Sequence, residues 1–332
     1  MGIRLDSMWY GKSVLAVLLA PLAWLYCAGM RLRTAAYRSG ILASARVGVP
    51  VIVVGNISVG GTGKTPLVVW IARFLASQGL RPGIISRGYR GRAQKWPQQV
   101  RPDSDPIMVG DEPVLIARTT GCPVAADPDR LRAARTLVSH VECDVLVSDD
   151  GLQHLAMGRD VEIAVIDGTR RHGNGRCLPA GPLREPVSRL DSVDLVVTNG
   201  PALDGEFAMR LVAEPAESLS EASLTRPLEG FVDEPVHAIC GIGVPERFFR
   251  TLERAGLTLI RHAFPDHYDF RAADIVFDDS LAVLMTEKDA VKCRRFADSR
   301  HWSVPVRAEL PQTFGVRLMS LLGVEARSMP ES

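Results

Sequence analysis

The sequence carries no surplus of charge: 39 Lys and Arg stand against 38 Asp and Glu in 332 residues, a formal net charge of +1. A balanced chain offers no extended basic surface, so nucleic acid is not an expected partner. The six cysteines (Cys27, Cys122, Cys143, Cys177, Cys240, Cys293) include no C-x-x-C pair, which argues against a dithiol motif or a disulfide framework and points to a reducing compartment. The seven histidines form no H-E-x-x-H or paired-ligand motif, which removes the common zinc sites. No fixed-period repeat is visible, so solenoids and propellers drop out. Long hydrophobic runs are missing but for one: residues 13–30 lie uncharged between Lys12 and Arg31. As a helix they would reach roughly 27 Å, short of a ~30 Å hydrocarbon core, and Pro21 interrupts them.

What is present is the composition of a folded protein, 46% hydrophobic and 23% charged, with length for about two domains. Residues 1–48 hold Arg4, Lys12, Arg31, Arg33, Arg38 and Arg46 against Asp6 alone. Apolar bulk, Trp24 and Tyr26 near one end, and basic flanks suit attachment to an anionic membrane surface, although a buried core helix fits the same pattern. A cleaved leader fits less well, because a nucleotide motif follows only about 30 residues later and argues for a chain kept in the cytoplasm.

Periodicity supplies the fold class. The β-branched run 49–55 ends in a glycine-rich turn, and residues 66–77 follow with a proline in the first turn, apolar residues at helical spacing and Gly79 after the end. Further apolar runs at 83–86, 144–148, 161–167 and 194–198 alternate with helix-length stretches such as 128–140, which predicts a parallel sheet covered by helices on both faces. Apolar runs thin out between 199 and 234, and beyond them strands at 235–240, 257–262, 281–286 and 303–307, with helices at 245–255 and 311–322, predict a second, smaller α/β unit. The expected division is residues 1–48 as hydrophobic helix and basic flank of the first domain, 49–225 as its core, and 226–332 as the second domain.

Ser58-Val59-Gly60-Gly61-Thr62-Gly63-Lys64-Thr65 matches G-x-x-x-x-G-K-[ST] at all but its first position. Small residues let backbone N–H groups close around phosphate oxygens, and the helix N-terminus adds its positive dipole end. Lys64 would then reach the β- and γ-phosphates and the Thr65 hydroxyl would ligate Mg²⁺. Asp149 and Asp150 end the apolar strand 144–148, where carboxylates hold the metal directly or through water, or form a plain turn. Read alone, Asp111 is either a helix cap or a base that takes a proton from an attacking hydroxyl. His267, between Asp266 and Asp269, is either a surface histidine or a proton-sharing partner, and spacing alone does not join it to Asp111. Five arginines between Arg170 and Arg189 face only Glu185 in sequence, which reads as an anion site or as a solvated loop. Arg87, Tyr89 and Arg90 after the second strand allow the same two readings.

Taken in order, the 58–65 loop, SRGYRGR at 86–92, GDEP at 110–113, DDGLQH at 149–154, LPAGPLREP at 178–186, CGIGVPERFF at 240–249, FPDHYDF at 264–270 and TEKDAVK at 286–292 closely resemble the tetraacyldisaccharide 4′-kinase family. The resemblance implies a P-loop NTPase-type core with a smaller C-terminal α/β domain and a membrane-associated N-terminal helix. It implies ATP with Mg²⁺ as cofactors and transfer of the γ-phosphate to the 4′-hydroxyl of a tetraacyl glucosamine disaccharide 1-phosphate in lipid A biosynthesis, at the cytoplasmic face of the bacterial inner membrane. By motif position, Asp111 would be the base, His267 its partner, Lys64 and Thr65 the groups on phosphate and Mg²⁺, and Asp149 with Asp150 the metal carboxylates. His154, Arg184, Glu185, Arg87 and Tyr89 fall near the implied site. No obligate protein partner is expected. The alternative is a membrane-associated P-loop GTPase or ATPase switch or a metal-insertion protein, suggested by Gly60-Gly61. Such loops often carry a lysine where Val59 stands, and the guanine-reading N-K-x-D pattern is missing.

Overall fold

A computed structural model describes residues 5–11, 13–221 and 223–324. The basic flank residues Arg4 and Lys12 lie outside the described residues. In chain order the elements are α1 (Leu5–Tyr10), α2 (Val14–Leu18), α3 (Ala20–Arg38), β1 (Val51–Gly55), α4 (Lys64–Ser77), β2 (Pro82–Ser86), β3 (Gln98–Val100), α5 (Pro106–Val109), α6 (Asp111–Thr120), β4 (Val124–Ala126), α7 (Arg130–His140), β5 (Val145–Ser148), β6 (Val161–Asp167), β7 (Leu195–Asn199) and β8 (Phe207–Ala213). There follow β9 (Ala216–Ser218), β10 (Thr225–Arg226), β11 (Val236–Cys240), α8 (Pro245–Arg254), β12 (Leu259–Ala263), β13 (Val283–Thr286), α9 (Glu287–Cys293), β14 (His301–Val304), β15 (Val306–Glu309) and α10 (Gln312–Leu321).

Every residue of β1 is buried, as a β-branched run demands when both sheet faces are covered. Ile52 pairs with Val147 of β5 on one side and Val161 of β6 on the other, both in parallel. The large sheet runs β15-β8-β7-β6-β1-β5-β2-β4-β3, with antiparallel strands only at its two edges. The chain leaves β1 through α4 toward β2 but leaves β6 toward β7, so the strand order reverses beside β1. Ligands bind in the crevice that such a reversal opens beyond the carboxyl ends of the strands.

On one face α4 buries Leu67, Val68, Ile71 and Leu75 together with Ile116 of α6 and Phe314 and Leu318 of α10. On the other, α7 buries Ala133, Ala134 and Leu137. Each large apolar side chain removed from water this way contributes roughly 2 kcal/mol. The second sheet runs β10-β9-β14-β13-β11-β12, with Phe248, Phe249 and Leu252 of α8 on one face and Phe270, Ile275 and α9 on the other.

The chain enters the second sheet at β9, ahead of the expected division at 225/226. It leaves before β15, which pairs with β8, and α10, which packs beside α4. Pro305 separates β14 from β15, so the single strand expected at 303–307 is two strands in two different sheets. The stretch 199–234, where apolar runs thin out, holds β8, β9 and β10.

The apolar N-terminal segment is broken at Leu19, with Pro21 in the first turn of α3. Among the described residues no helix is long and apolar enough to cross a membrane. Val14, Val17, Leu18, Leu22, Trp24, Leu25 and Leu32 are exposed. The inner side of this segment sits on the loop around residue 180: Trp9 Nε1 donates to the Pro179 carbonyl, and Tyr26 and Cys27 pack against Ile57, Cys177 and Leu183. The reading of six scattered cysteines without a disulfide framework is corrected at one pair, because Cys27 and Cys177, 150 residues apart, are joined by a disulfide. The pairing is tertiary, so no local spacing announces it.

Candidate active site

The loop from β1 to α4 is shaped by contacts with strand ends on both sides of it. Asn199 at the end of β7 donates to the Thr62 carbonyl at 3.2 Å, Asn56 reaches the Gly60 carbonyl at 3.4 Å, and the Val59 amide donates to Pro182. Gly63 has φ +96°, and a Cβ there would stand 2.8 Å from Asn199 Nδ2, so the turn into α4 requires glycine. Lys64 and Thr65 therefore begin α4 with the helix N-terminus behind them.

Asp149 and Asp150 follow β5. Lys64 Nζ lies 3.5 Å from Asp150 Oδ1, and Arg184 Nη1 lies 3.1 Å from Asp150 Oδ2. Burial alone would raise Asp150, but Lys64 and Arg184 outweigh it and hold the carboxyl down at about 2. Asp149 is driven the other way, up to about 7, by burial first and then by the like charges of Glu112 and Asp150, against Lys64 and Arg130. The two adjacent carboxylates are separated because only Asp150 has cations in direct ion pairs with it.

Asp149 Oδ1 is buried with no hydrogen-bond partner. Two carboxylates and the Thr65 hydroxyl are hard oxygen donors that suit Mg²⁺, which takes one or two carboxylates and completes its shell with phosphate and water. Among the described residues no cluster of three or more His, Cys, Asp or Glu could cage a metal without such help.

Across the crevice, Asp111 is the first residue of α6 and is buried. Its carboxylate faces His267 Nδ1 at 3.0 and 3.2 Å. His267 comes from the loop after β12, on the second sheet, 156 residues away. The ring of Tyr89 meets the His267 ring edge-on at 5.2 Å, and Arg90 donates to the His267 carbonyl at 2.9 Å. A cavity opens here between Tyr89, Arg92, Ile107, Asp111, His267 and Lys292. Gly243 brings the second sheet against the glycine-rich loop: a Cβ there would stand 3.5 Å from the Gly61 amide nitrogen. Arg247 of α8 closes the same seam onto buried Asp167 at 2.5 Å.

The expected site residues separate into those that face the crevice and those that support it. Glu185 is buried and engaged by Gln153 at 2.7 Å and Arg189 at 3.3 Å, behind the loop. His154 is part-buried, its imidazole pushed down by burial and then by Arg130. Arg87 and Tyr89 are exposed. The basic segment is largely spoken for: Arg171 pairs with Glu206, Arg184 with Asp150 and Arg189 with Glu162, while Arg170 stacks over Tyr10 at 4.9 Å. Sequence reasoning gave no role to Arg130, which donates to the Asp149 and Asp150 carbonyls, nor to Lys288 and Lys292 beside the Asp111–His267 pair. The two lysines stand four residues apart after a strand, one helical face, and that was the available signal.

A lysine-bearing phosphate loop on one sheet, faced by a carboxylate–imidazole pair completed from the other, defines the class of an ATP-dependent phosphotransferase. Comparison with known proteins makes the class specific. The family described as "Tetraacyldisaccharide-1-P 4'-kinase" matches residues 15–323, and the chain belongs to that family. It is similar to the tetraacyldisaccharide 4′-kinase of Nitrosococcus oceani, 53% identical over 96% of this chain and 94% of that one. It is likewise similar to that of Alkalilimnicola ehrlichii, 56% identical over 87% of each. A crystal structure of LpxK from Aquifex aeolicus in complex with ATP superposes with a TM-score of 0.79 at 27% identity, covering 93% of this chain and all of that one. The activity is thus ATP-dependent 4′-phosphorylation of the tetraacyldisaccharide 1-phosphate in lipid A biosynthesis.

Proposed function

We propose that this chain carries out the transfer with Asp111 as the base, His267 as its partner and the 58–65 loop as the seat of the ATP phosphates. The observation that carries the reading is the Asp111–His267 contact, 3.0 Å, made between two sheets at the mouth of the crevice that holds Lys64. The 4′-hydroxyl gives its proton to Asp111 as its oxygen bonds to the γ-phosphorus, and the bond from that phosphorus to the ADP oxygen breaks. Lys64 and the loop amides neutralise charge that builds on the phosphates, which is where most of the rate of a phosphoryl transfer is gained. Thr65, Asp149 and Asp150 would hold Mg²⁺, which would supply positive charge to offset that of the phosphates. The exposed apolar side chains of α2 and α3 lie on the cytoplasmic face of the inner membrane in this reading, bringing the crevice to a substrate whose acyl chains stay in the bilayer. The core and the second sheet act as two domains that close on the substrates from either side of the crevice, the second domain running from β9 to β14 rather than from residue 226.

Phosphate transfer from ATP to the tetraacyldisaccharide 1-phosphate in mixed micelles tests the assignment. Asp111→Asn should keep ATP affinity and lose about 10²- to 10⁴-fold in kcat, whereas Lys64→Ala should weaken both. A wild-type kcat in Asp111→Asn, or equal loss of ATP binding in both variants, would refute it.

A further inference from the structure

Lys288, the second residue of α9, has no part in the reading above, yet its ammonium reaches three groups at once. Its Nζ lies 3.0 Å from His267 Nε2, 3.2 Å from Asp266 Oδ1 and 3.2 Å from Glu112 Oε1. Glu112 belongs to α6 and the other two to the loop of the second sheet, so one cation ties both sides of the crevice. Burial alone would pull this ammonium down, but Glu112, Asp111 and Asp266 outweigh it and push it up. Lys288 is therefore charged, and an ammonium has protons to give and no lone pair to offer.

The tautomer of His267 follows from that. Facing an ammonium, Nε2 must present its lone pair; the ring proton then sits on Nδ1, which faces the Asp111 carboxylate. The opposite tautomer would set Nε2–H against the ammonium and a lone pair against the carboxylate, two repulsive contacts in a buried place. We propose that Lys288 is a positioning residue of the base, fixing His267 as the Nδ1–H tautomer that donates to Asp111 and so aiming the carboxylate at the acceptor hydroxyl. This role presupposes Asp111 as the base. Lys288 keeps its protons throughout, and the hydroxyl proton goes to Asp111.

The charged and titratable groups that face Asp111 are His267 and Lys288, its neighbour Glu112, and Lys292, whose Nζ is 3.8 Å from Oδ2 and 3.0 Å from Asp289. Tyr89, Arg90 and Asp266 stand around the His267 side of the pair. Burial would raise Asp111, but the hydrogen bond with His267 and the charges of Lys288 and Lys292 hold it below its ordinary value. Removing Lys288 therefore loosens the ring and also moves the acid limb of kcat to higher pH.

The test reads the tautomer without catalysis. Histidine-¹⁵N spectra of the wild type, with His267 assigned against His267→Gln, should show a protonated Nδ1 and an unprotonated Nε2. Lys288→Met should mix or reverse that signature, lower kcat by up to about 10²-fold with KM for ATP unchanged, and raise the acid limb. Lys288→Arg, which returns a donor cation, should recover the tautomer and most of kcat. A wild-type ring protonated on Nε2 overturns the proposal, and it does so whether or not Lys288→Met folds. So does Lys288→Met with wild-type tautomer, kcat and acid limb. The two failures separate: full transfer by Asp111→Asn overturns the base itself, whereas loss in Asp111→Asn with none in Lys288→Met overturns Lys288 alone.

Discussion

Asp149 and Asp150 are adjacent, yet amide substitutions at the two should move the stability of the metal-free protein in opposite directions. Asp149 rises from an ordinary 3.8 to about 7, driven by burial and by Glu112 and Asp150. Between those values the folded protein keeps a proton that the unfolded chain has released, so stability falls as pH rises through the window, by ~1.4 kcal/mol per pH unit. Asn carries no charge to bury, and Asp149→Asn should therefore gain on the wild type from about pH 4 upward, reaching at most about 4 kcal/mol above pH 7. Asp150 falls to about 2 despite its burial, held by Lys64 and Arg184. Its contribution is present above 3.8 and lost as pH drops through about 2, so Asp150→Asn should lose about 2 kcal/mol at neutral pH. Urea unfolding in chelator at about pH 5 and about pH 8 measures both. On the proposed role of Asp149 as a Mg²⁺ ligand, added Mg²⁺ with a nucleotide analogue should stabilise the wild type far more than Asp149→Asn, since a metal there would relieve the buried charge only where one exists. Equal destabilisation by the two variants, with no dependence on pH, would refute the reasoning.

Gly63→Ala should cost ATP affinity by at least about tenfold in a nucleotide titration and about 1–3 kcal/mol in stability, since its Cβ would meet Asn199 Nδ2 at 2.8 Å and Met209 at 3.0 Å from a backbone at φ +96°. Trp24→Glu with Leu25→Glu, both about 70% exposed, should abolish co-sedimentation with anionic vesicles while leaving the unfolding midpoint unchanged; retained vesicle binding would remove α3 as the membrane contact.

The order of β1, loop and α4 was legible because a buried strand, small turn residues and a 3.6-residue period all point the same way. Strands β8 and β9 were not, since each lies one strand in from a sheet edge with only part of its length buried, β9 is three residues long, and their Pro- and Glu-rich surroundings read as a linker. Domain boundaries along the chain were misleading for a topological reason: β15 and α10 cross back after the second sheet is complete. At the site, the lysine loop and both carboxylates could be placed from local spacing, whereas the union of Asp111 with His267 came only through family resemblance. The basic segment misled in another way. Net charge over a window does not count carboxylates that arrive from elsewhere, and Glu206, Asp150 and Glu162 do arrive.

Of the four described non-glycine residues with positive φ, three stand in the crevice: Asp150 at +48°, His267 at +58° and Arg90 at +60°. Each such conformation costs about 1–3 kcal/mol and persists only where its surroundings over-determine it. Asp150 is held by Lys64 and Arg184 through its side chain and by Arg130 through its carbonyl. His267 is held by Asp111 and Lys288 through its ring, and by Gly241 and Arg90 through its backbone. Arg90, strained itself, is one of the groups that fasten His267. The strain is thus shared across both sheets, and no single contact carries it. Pulling the sheets apart would release His267 and Arg90 together, so the Asp111–His267 geometry exists only when the crevice is assembled.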